Sequence, residues 1–395
     1  MAFGIVSRII APQTIQHGPP IRSNHKQIMD KKKLLFFHPL IGPYRVDFVN
    51  ALFEAFDTKV YLTLQTCSGL AFNQEDSYAK LHFTPVFLPN AFRGKFRIIW
   101  RELISYAPDI VITTEFDTVT LFMVLWRLIT RKRFKLVSLS DDSYDMLTRE
   151  GSTFRHRLAR RLLARHLDDI ILIEPKTVNW YQGKYGIGSF FPIIRNEKIA
   201  TGIYEKSIPF IRKNIGALQL EKKYVFLYAG RLVPIKNVSL LIDAFSFFDQ
   251  STNALIIVGD GIESARLQQK AKGLGLTNVH FTGALREETL YAWYLVADTF
   301  VLPSISEPFG AVTNEALLGG CSAVVSDRAG SRCLIEEGKN GYLFNPASVF
   351  DLREKMLLSQ QLSRSDSEAG RGRSSKMVYK FDILFNALRD RLYSL

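Results

Sequence analysis

From Lys33 onward the chain alternates short apolar runs with segments whose apolar positions recur at helical spacing. That is the pattern of βα units feeding a parallel sheet. In the first half, KLLFFHPL, KVYLTL, HFTPVFL, DIVITTE, FKLVSLS and DIILIE predict strands. After the first of these, RVDFVNALFEAF sets Val46, Val49, Leu52, Phe53 and Phe56 on one helical face. The alternation breaks over 196–223, which shows no strand period. It restarts with YVFLYAG, ALIIVGDG, NVHFTGAL, DTFVLPS and SAVVSD, with helices expected near 237–249, 263–273 and 286–296 and another opening near Gly310.

The pattern predicts an α/β protein built from two doubly wound parallel-sheet domains, 33–200 and 224–375, facing one another across a cleft and joined by a linker over 201–223. Ligands of such sheets sit beyond the carboxyl ends of the strands, so the chemistry is expected on strand-to-helix loops. At the end, KMVYKFDILFNALRDRLYSL repeats apolar residues at Val378, Phe381, Leu384, Phe385 and Leu388. Residues 376–395 are therefore expected as a helix that packs back on the first domain. The polar stretch before it, SQQLSRSDSEAGRGRSSK, is expected to be mobile at least in part. Residues 1–32 carry no core pattern and no signal-peptide pattern, and read as a disordered leader with Met29 a candidate natural start.

Composition is ordinary for a globular protein: 395 residues, 47% hydrophobic and 23% charged. Cys67, Cys321 and Cys333 have no CxxC spacing, which favours reduced thiols in a cytoplasmic setting over disulfides or zinc. The most apolar segment, VTLFMVLWRLIT at 119–130, is too short to span a bilayer, is broken by Arg127, and is expected as a buried helix. The net charge of +13 is uneven, with 28 Lys and Arg against 18 Asp and Glu in residues 1–200. Such an excess suits nucleic acid, an anionic membrane or anionic small molecules.

Candidate chemistry gathers on loops of the second half. Arg231 and Lys236 in YAGRLVPIKN follow a strand. A guanidinium fork and a mobile ammonium can converge on a diphosphate, or be surface cations beside a turn. Gly259, Asp260 and Gly261 allow close backbone approach or form an ordinary turn; the GxGxxG spacing is absent. In SEPFGAVTNEAL, Glu307 and Glu315 flank a helix start whose amides, from Gly310 through Ala311 and Val312 to Thr313, could receive phosphate. Glu307 would then take hydroxyls of a sugar beyond the diphosphate, and Glu315 those of a ribose. Alternatively, Glu307 is a cap and Glu315 a first-turn acid favoured by the helix dipole.

As an ordered set, G-R-L-x-x-x-K, V-G-D-G, F-x-G, P-S-x-x-E-x-F-G-x-x-x-x-E-A and EEGKNGYLFNP resemble the retaining family-4 glycosyltransferases, whose two-domain fold is called GT-B. The resemblance covers nearly all of 224–346. It implies diphosphate contacts for Arg231 and Lys236, donor-sugar contact for Glu307 and the Phe309–Gly310 backbone, and ribose contact for Glu315. Around Val279–Phe281 it implies contacts to the base. The first half departs from the family: where relatives carry a Gly-Gly loop, HPLIGPYRVDF has only Gly42 before Pro43, which offers no N–H. Arg45 either compensates or is a first-turn surface residue, and the second reading is preferred. Where many relatives place a His, KLVSLSDDSYD has Asp141 and Asp142. Asp142 could take the acceptor's proton, or serve as a cap. The pair is not a D-x-D motif, and neither a catalytic metal nor a cofactor is expected.

The resemblance implies transfer of a sugar from a nucleoside-diphosphate sugar to a hydroxyl of a saccharide or lipid-linked acceptor, with Glu307, Arg231, Lys236 and Asp142 as catalytic candidates. The alternatives are a non-catalytic nucleotide-sugar-binding protein and a nucleotide-sugar epimerase. The basic stretch TFRHRLARRLLARHLDD is expected to turn Leu158, Ala159 and Leu162 inward and Arg157, Arg160, Arg161 and Arg165 outward. With RLITRKRFK it could rest on the anionic cytoplasmic face of a membrane, or be simply solvated. No nucleic-acid recognition motif accompanies the charge.

Overall fold

The computed structural model describes residues 31–64, 74–148, 153–363 and 374–395. Nearly all of the expected leader, Cys67 and most of the expected mobile stretch before the last helix lie outside the described residues. Residues 32–395 form one unit containing two sheets.

The first sheet comprises β1 (Lys33–His38), β2 (Asp57–Leu62), β3 (Val86–Phe87), β4 (Ile110–Thr114), β5 (Lys135–Ser140), β6 (Asp169–Leu172) and β7 (Ser189–Phe190). The second comprises β8 (Tyr224–Ala229), β9 (Asn253–Val258), β10 (Val279–Gly283), β11 (Thr299–Leu302), β12 (Ser322–Ser326) and β13 (Gly341–Phe344). Their orders are β3-β2-β1-β4-β5-β6-β7 and β10-β9-β8-β11-β12-β13, and the paired strands run parallel. Strand order therefore reverses between β1 and β4 and between β8 and β11, where the loops leave a crevice. All the strands expected from the apolar runs are present, while β7 and β13 were not foreseen.

The middle strands are largely apolar and buried, with Ser and Thr among the polar exceptions, because helices cover both faces. Leu34 and Phe36 of β1 enter one core with Val49 and Leu52 of the helix Val46–Ala55. Leu35 and Phe37 enter another with Leu103, Met123 and Leu163 on the opposite face. That alternation follows from the two-residue period of a strand.

Three expectations change. Most of the expected linker is a helix, Glu197–Ala217, opened by the Asn196 side chain accepting from the Lys198 amide and carrying Pro209 inside. It packs on the helix Glu287–Val296, with the Tyr204 and Tyr291 rings 5.0 Å apart. The apolar helix Thr118–Thr130 is only half covered: Val119 and Met123 are buried, whereas Leu125, Leu128 and Ile129 face out. The basic helix Phe154–Leu163 keeps Arg157 and Arg161 outward as expected, but Arg160 and Leu163 are buried and Leu158 and Leu162 are exposed. Arg160 is drawn inward by the Trp180 ring, 5.4 Å from its guanidinium carbon, and by Asp142 at 4.0 Å.

The last helix, Phe381–Ser394, lies against the first half. Tyr393 stacks on Phe56 at 4.8 Å and donates to the Ala55 carbonyl, while Phe385 meets Phe48 and Phe191 edge-on. Phe385→Ala removes this buried ring, and we expect it to lower the unfolding free energy by about 3–5 kcal/mol, read by urea titration. Unchanged stability would show that the helix does not dock there.

Candidate functional site

The loop after β8 is held by backbone packing. Its Gly230 amide donates to the Val258 carbonyl at 3.0 Å, and the Leu232 amide to that of Asp260 at 2.8 Å. A Cβ on Gly259, whose φ is +140°, would fall 1.8 Å from the Gly230 oxygen; one on Gly261 would fall 2.3 Å from that of Leu232. The V-G-D-G turn is therefore the bed on which residues 230–232 lie, and only glycine fits there. Gly259 supports the loop that presents Arg231 and is not itself in the cavity wall.

After β11 the chain runs through Glu307 to the helix Val312–Leu318. The Gly330 and Ser331 amides donate to the carbonyls of Glu307 and Phe309, clamping this loop from outside. Gly310, at φ +89°, has Leu302 Cδ2 where a Cβ would come within 2.7 Å. The helix begins two residues later than Gly310, and the Thr313 amide is already used by the Gly310 carbonyl at 3.0 Å. Thr313 is buried with its hydroxyl 3.0 Å from Ser331 Oγ, so it drops out of the expected amide cradle. The amides of Gly310, Ala311 and Val312 meet no acceptor among the described residues.

A cavity of about 560 Å³ opens at the β8/β11 crevice between the two halves. Arg231, Lys236, Glu307, the segment 309–312 and Glu315 line it from the second half, and Pro43 and Asp141 from the first. Lys236 Nζ pairs with Glu307, whose carboxylate also takes a 3.3 Å hydrogen bond from Ser304. Arg231 has no ion pair among the described residues. Gly42 is not in the wall, where its neighbour Pro43 stands. Phe281 packs against the core of the second sheet, and Leu285, Arg286 and Glu287, further along, line the cavity in its place.

Glu315 sits at one end. Its carboxylate accepts from the Tyr294 hydroxyl at 3.2 Å, and burial pushes its pKa up, opposed by the Arg195 charge and the Tyr291 and Tyr294 hydroxyls. Arg195, absent from the expected site, also lines the cavity; its Nε donates to Asp47 at 2.8 Å and its Nη1 to the Tyr291 hydroxyl at 3.0 Å.

On the first half, Arg45 is not a surface residue: it is 1% exposed and pairs with Asp141, with Nε and Nη1 meeting no hydrogen-bond partner among the described residues. Of the consecutive pair, Asp141 is the one that reaches the cavity, whose wall also includes Asp76. Asp142 is buried behind it, 3.7 Å from His156 Nε2, with its pKa raised by burial against the pull of His156 and Arg160. Glu115, which the sequence did not single out, holds φ +53° just after β4. Burial and the nearby charges of Asp142, Asp141 and Asp117 push its pKa up to about 7. At the rim, Lys80 pairs with Glu287, and Arg286 stands 3.8 Å from Asp76. Among the described residues no cluster of three or more His, Cys, Asp or Glu is set to hold a metal, and no helix is long and apolar enough to cross a membrane.

Two parallel α/β domains meeting at such a crevice are the GT-B architecture of glycosyltransferases. Residues 210–370, the stretch that supplies Arg231, Lys236, Glu307 and Glu315, match the family model for glycosyl transferases group 1. The chain is similar to an uncharacterized glycosyltransferase of Methanocaldococcus jannaschii, 36% identical over 151 residues, or 37% of this chain and 38% of that protein. It is also similar to a GDP-mannose-dependent alpha-mannosyltransferase of Mycobacterium tuberculosis, 30% identical over 202 residues, or 50% and 47%. The matches thus span less than half the length of these two relatives. Among solved structures, Anabaena HepE in complex with UDP superposes with a TM-score of 0.71 at 19% identity, over 92% of this chain and 100% of that one.

Two consequences are testable. Gly259→Ala should cost about 2–3 kcal/mol in thermal or urea unfolding, because the added methyl must displace the loop of Arg231. A neutral effect would remove the bed from the account. His38, at the end of β1, is buried beside Arg45; burial first and that charge second push its pKa down from 6.5 to about 4. The unfolded chain therefore takes up this proton first as pH falls. The stability His38 confers is present above pH 6.5 and lost towards pH 4, by up to about 3 kcal/mol. In pH-dependent unfolding, His38→Gln should fall less steeply than the parent over that window. Parallel curves would contradict this.

Proposed function

We propose that the protein transfers a sugar from a nucleoside-diphosphate sugar to a hydroxyl of a saccharide or lipid-linked saccharide acceptor, with the anomeric configuration retained. The observation that carries this reading is the convergence of Arg231, Lys236, the open amides of 310–312, Glu307 and Glu315 on one cavity at the β8/β11 crevice. The similarity of residues 210–370 to group 1 glycosyl transferases supports it.

In this reading Arg231, Lys236 and the amides hold the diphosphate and stabilise the negative charge that grows as it departs. Glu307 orients the donor sugar through its hydroxyls, and Glu315 takes those of the ribose. The acceptor hydroxyl attacks from the face the diphosphate leaves, and Asp141, a first-half acid in the cavity wall, takes its proton. Asp142 acts behind it, as a buried charge facing His156 and Arg160. Closing the halves over the cavity limits loss of the donor to water.

The test is donor consumption and product analysis across UDP-, GDP- and ADP-sugars with saccharide and lipid-linked acceptors. Lys236→Ala and Glu307→Gln should each lower turnover by about a hundredfold or more while the protein remains folded. Full turnover in both folded variants would remove the assignment. Donor binding without transfer to any acceptor would point to a binding protein, the reading that the Pro43 departure favours. Conversion of the donor sugar without an acceptor would point to an epimerase.

A further inference from the structure

The first half carries a surface that the cavity does not use. The helices Phe92–Ser105, Thr118–Thr130 and Phe154–Leu163 cover one face of the first sheet, and their inward side chains share a core with Leu35 and Phe37 of β1. Rings tie the first two helices together, Phe96 to Phe122 at 4.7 Å and Trp100 to Trp126 at 4.9 Å. Their outer sides stay apolar: Phe92, Ile129 and Phe154, one on each helix, are 71, 79 and 72% exposed.

The exposed residues are ordered. On the first helix Phe92, Phe96, Trp100 and Ile104 recur every fourth position, with Arg93, Arg97 and Arg101 beside them. Between them lies a groove of about 670 Å³ lined by both stripes and by Phe122. On the third helix Phe154, Leu158 and Leu162 form the apolar stripe, and Arg157 and Arg161 follow the same step, continued by Arg165 in the turn just beyond it. The three helices contain one acidic residue, Glu102, which is buried and bonded to Lys59.

A solvated basic helix would not expose phenylalanine and tryptophan at the same period as its arginines. A second copy packed face to face would bring arginine onto arginine with no carboxylate between them. An anionic bilayer meets both demands: rings and aliphatic chains enter the headgroup–acyl boundary while the guanidinium groups remain among the phosphates. We propose that this three-helix outer face of the first sheet docks on an anionic membrane surface. The inference stands apart from the transfer reaction and is read without donor or acceptor.

The experiment is flotation of the protein with vesicles of phosphatidylcholine alone or containing phosphatidylglycerol, followed by tryptophan emission. Binding is expected only to the anionic vesicles. It should weaken with salt and shift the emission to the blue, a shift that Trp100→Phe diminishes while binding persists. The triple variant R93E/R97E/R101E, checked for an unchanged circular dichroism spectrum, should bind at least about tenfold more weakly. Equal binding by this variant, or no binding to anionic vesicles at low salt, would overturn the proposal. So would a stable dimer in solution that Ile129→Ser dissociates and vesicles do not.

Discussion

A buried ion pair holds the two halves in one frame. Asp47 lies in the first turn of the helix after β1, and Arg195 just beyond β7. Nη2 of the arginine also reaches Asp47, while Nη1 donates to the Tyr291 hydroxyl and the backbone amide to the Asn314 side chain, both in the second half. Removing one partner from such a pair strands a charge in the interior, a cost of about 3–5 kcal/mol. Asn314 sits next to Glu315, in the helix that follows the open amides. The wall that gathers Glu307 to Glu315 is thereby tied to the first sheet, and Arg332, donating to Glu174 and Asp145, ties the loop outside that wall to the same half.

Legibility followed the length and burial of each element. Four- to six-residue strands buried on both faces leave unbroken apolar runs, so β1 and β9 are plain in the chain. β7 has two half-buried residues and leaves no period to read. β13 hides inside EEGKNGYLFNP, where Gly341 is required because a Cβ would meet the Ala323 oxygen at 1.9 Å. The helix Glu197–Ala217 carries Gly202, Pro209 and Gly216, residues that ordinarily argue for a break, and its packing on a neighbouring helix overrides them.

The site was legible where a residue type had a chemical reason to be there, and not where only direction in space decided. Asp141 and Asp142 are consecutive at the end of β5, and neighbours on an extended chain point to opposite sides. Sequence alone has no means of choosing between them. The fold turns Asp141 to the cavity and Asp142 to His156 and Arg160. Arg45 is the same problem at larger scale: a first-turn arginine is ordinarily solvated, and its burial comes from Asp141, nearly a hundred residues away in the chain. Arg195 and Glu115 had no motif at all. The φ of +53° at Glu115 is a backbone property that its sequence, an ordinary strand end, does not disclose.

The Lys236–Glu307 pair adds a constraint of its own. Both side chains are largely out of water, so each needs an opposite charge when the cavity is empty. On the proposed reading a diphosphate offers Lys236 a second anion, and the sugar offers Glu307 hydroxyl donors in place of the ammonium. The ligand then substitutes for the internal partners instead of adding to bare charges. Binding exchanges one satisfied arrangement for another, which lowers its net affinity but leaves both groups aligned when charge moves in the reaction. Arg231 differs, being exposed and without an ion pair among the described residues, so its share of the diphosphate carries no such exchange. On the proposed reading Arg231 and Lys236 therefore divide the work: one draws the anion in from solvent, and the other couples its arrival to Glu307, which orients the sugar.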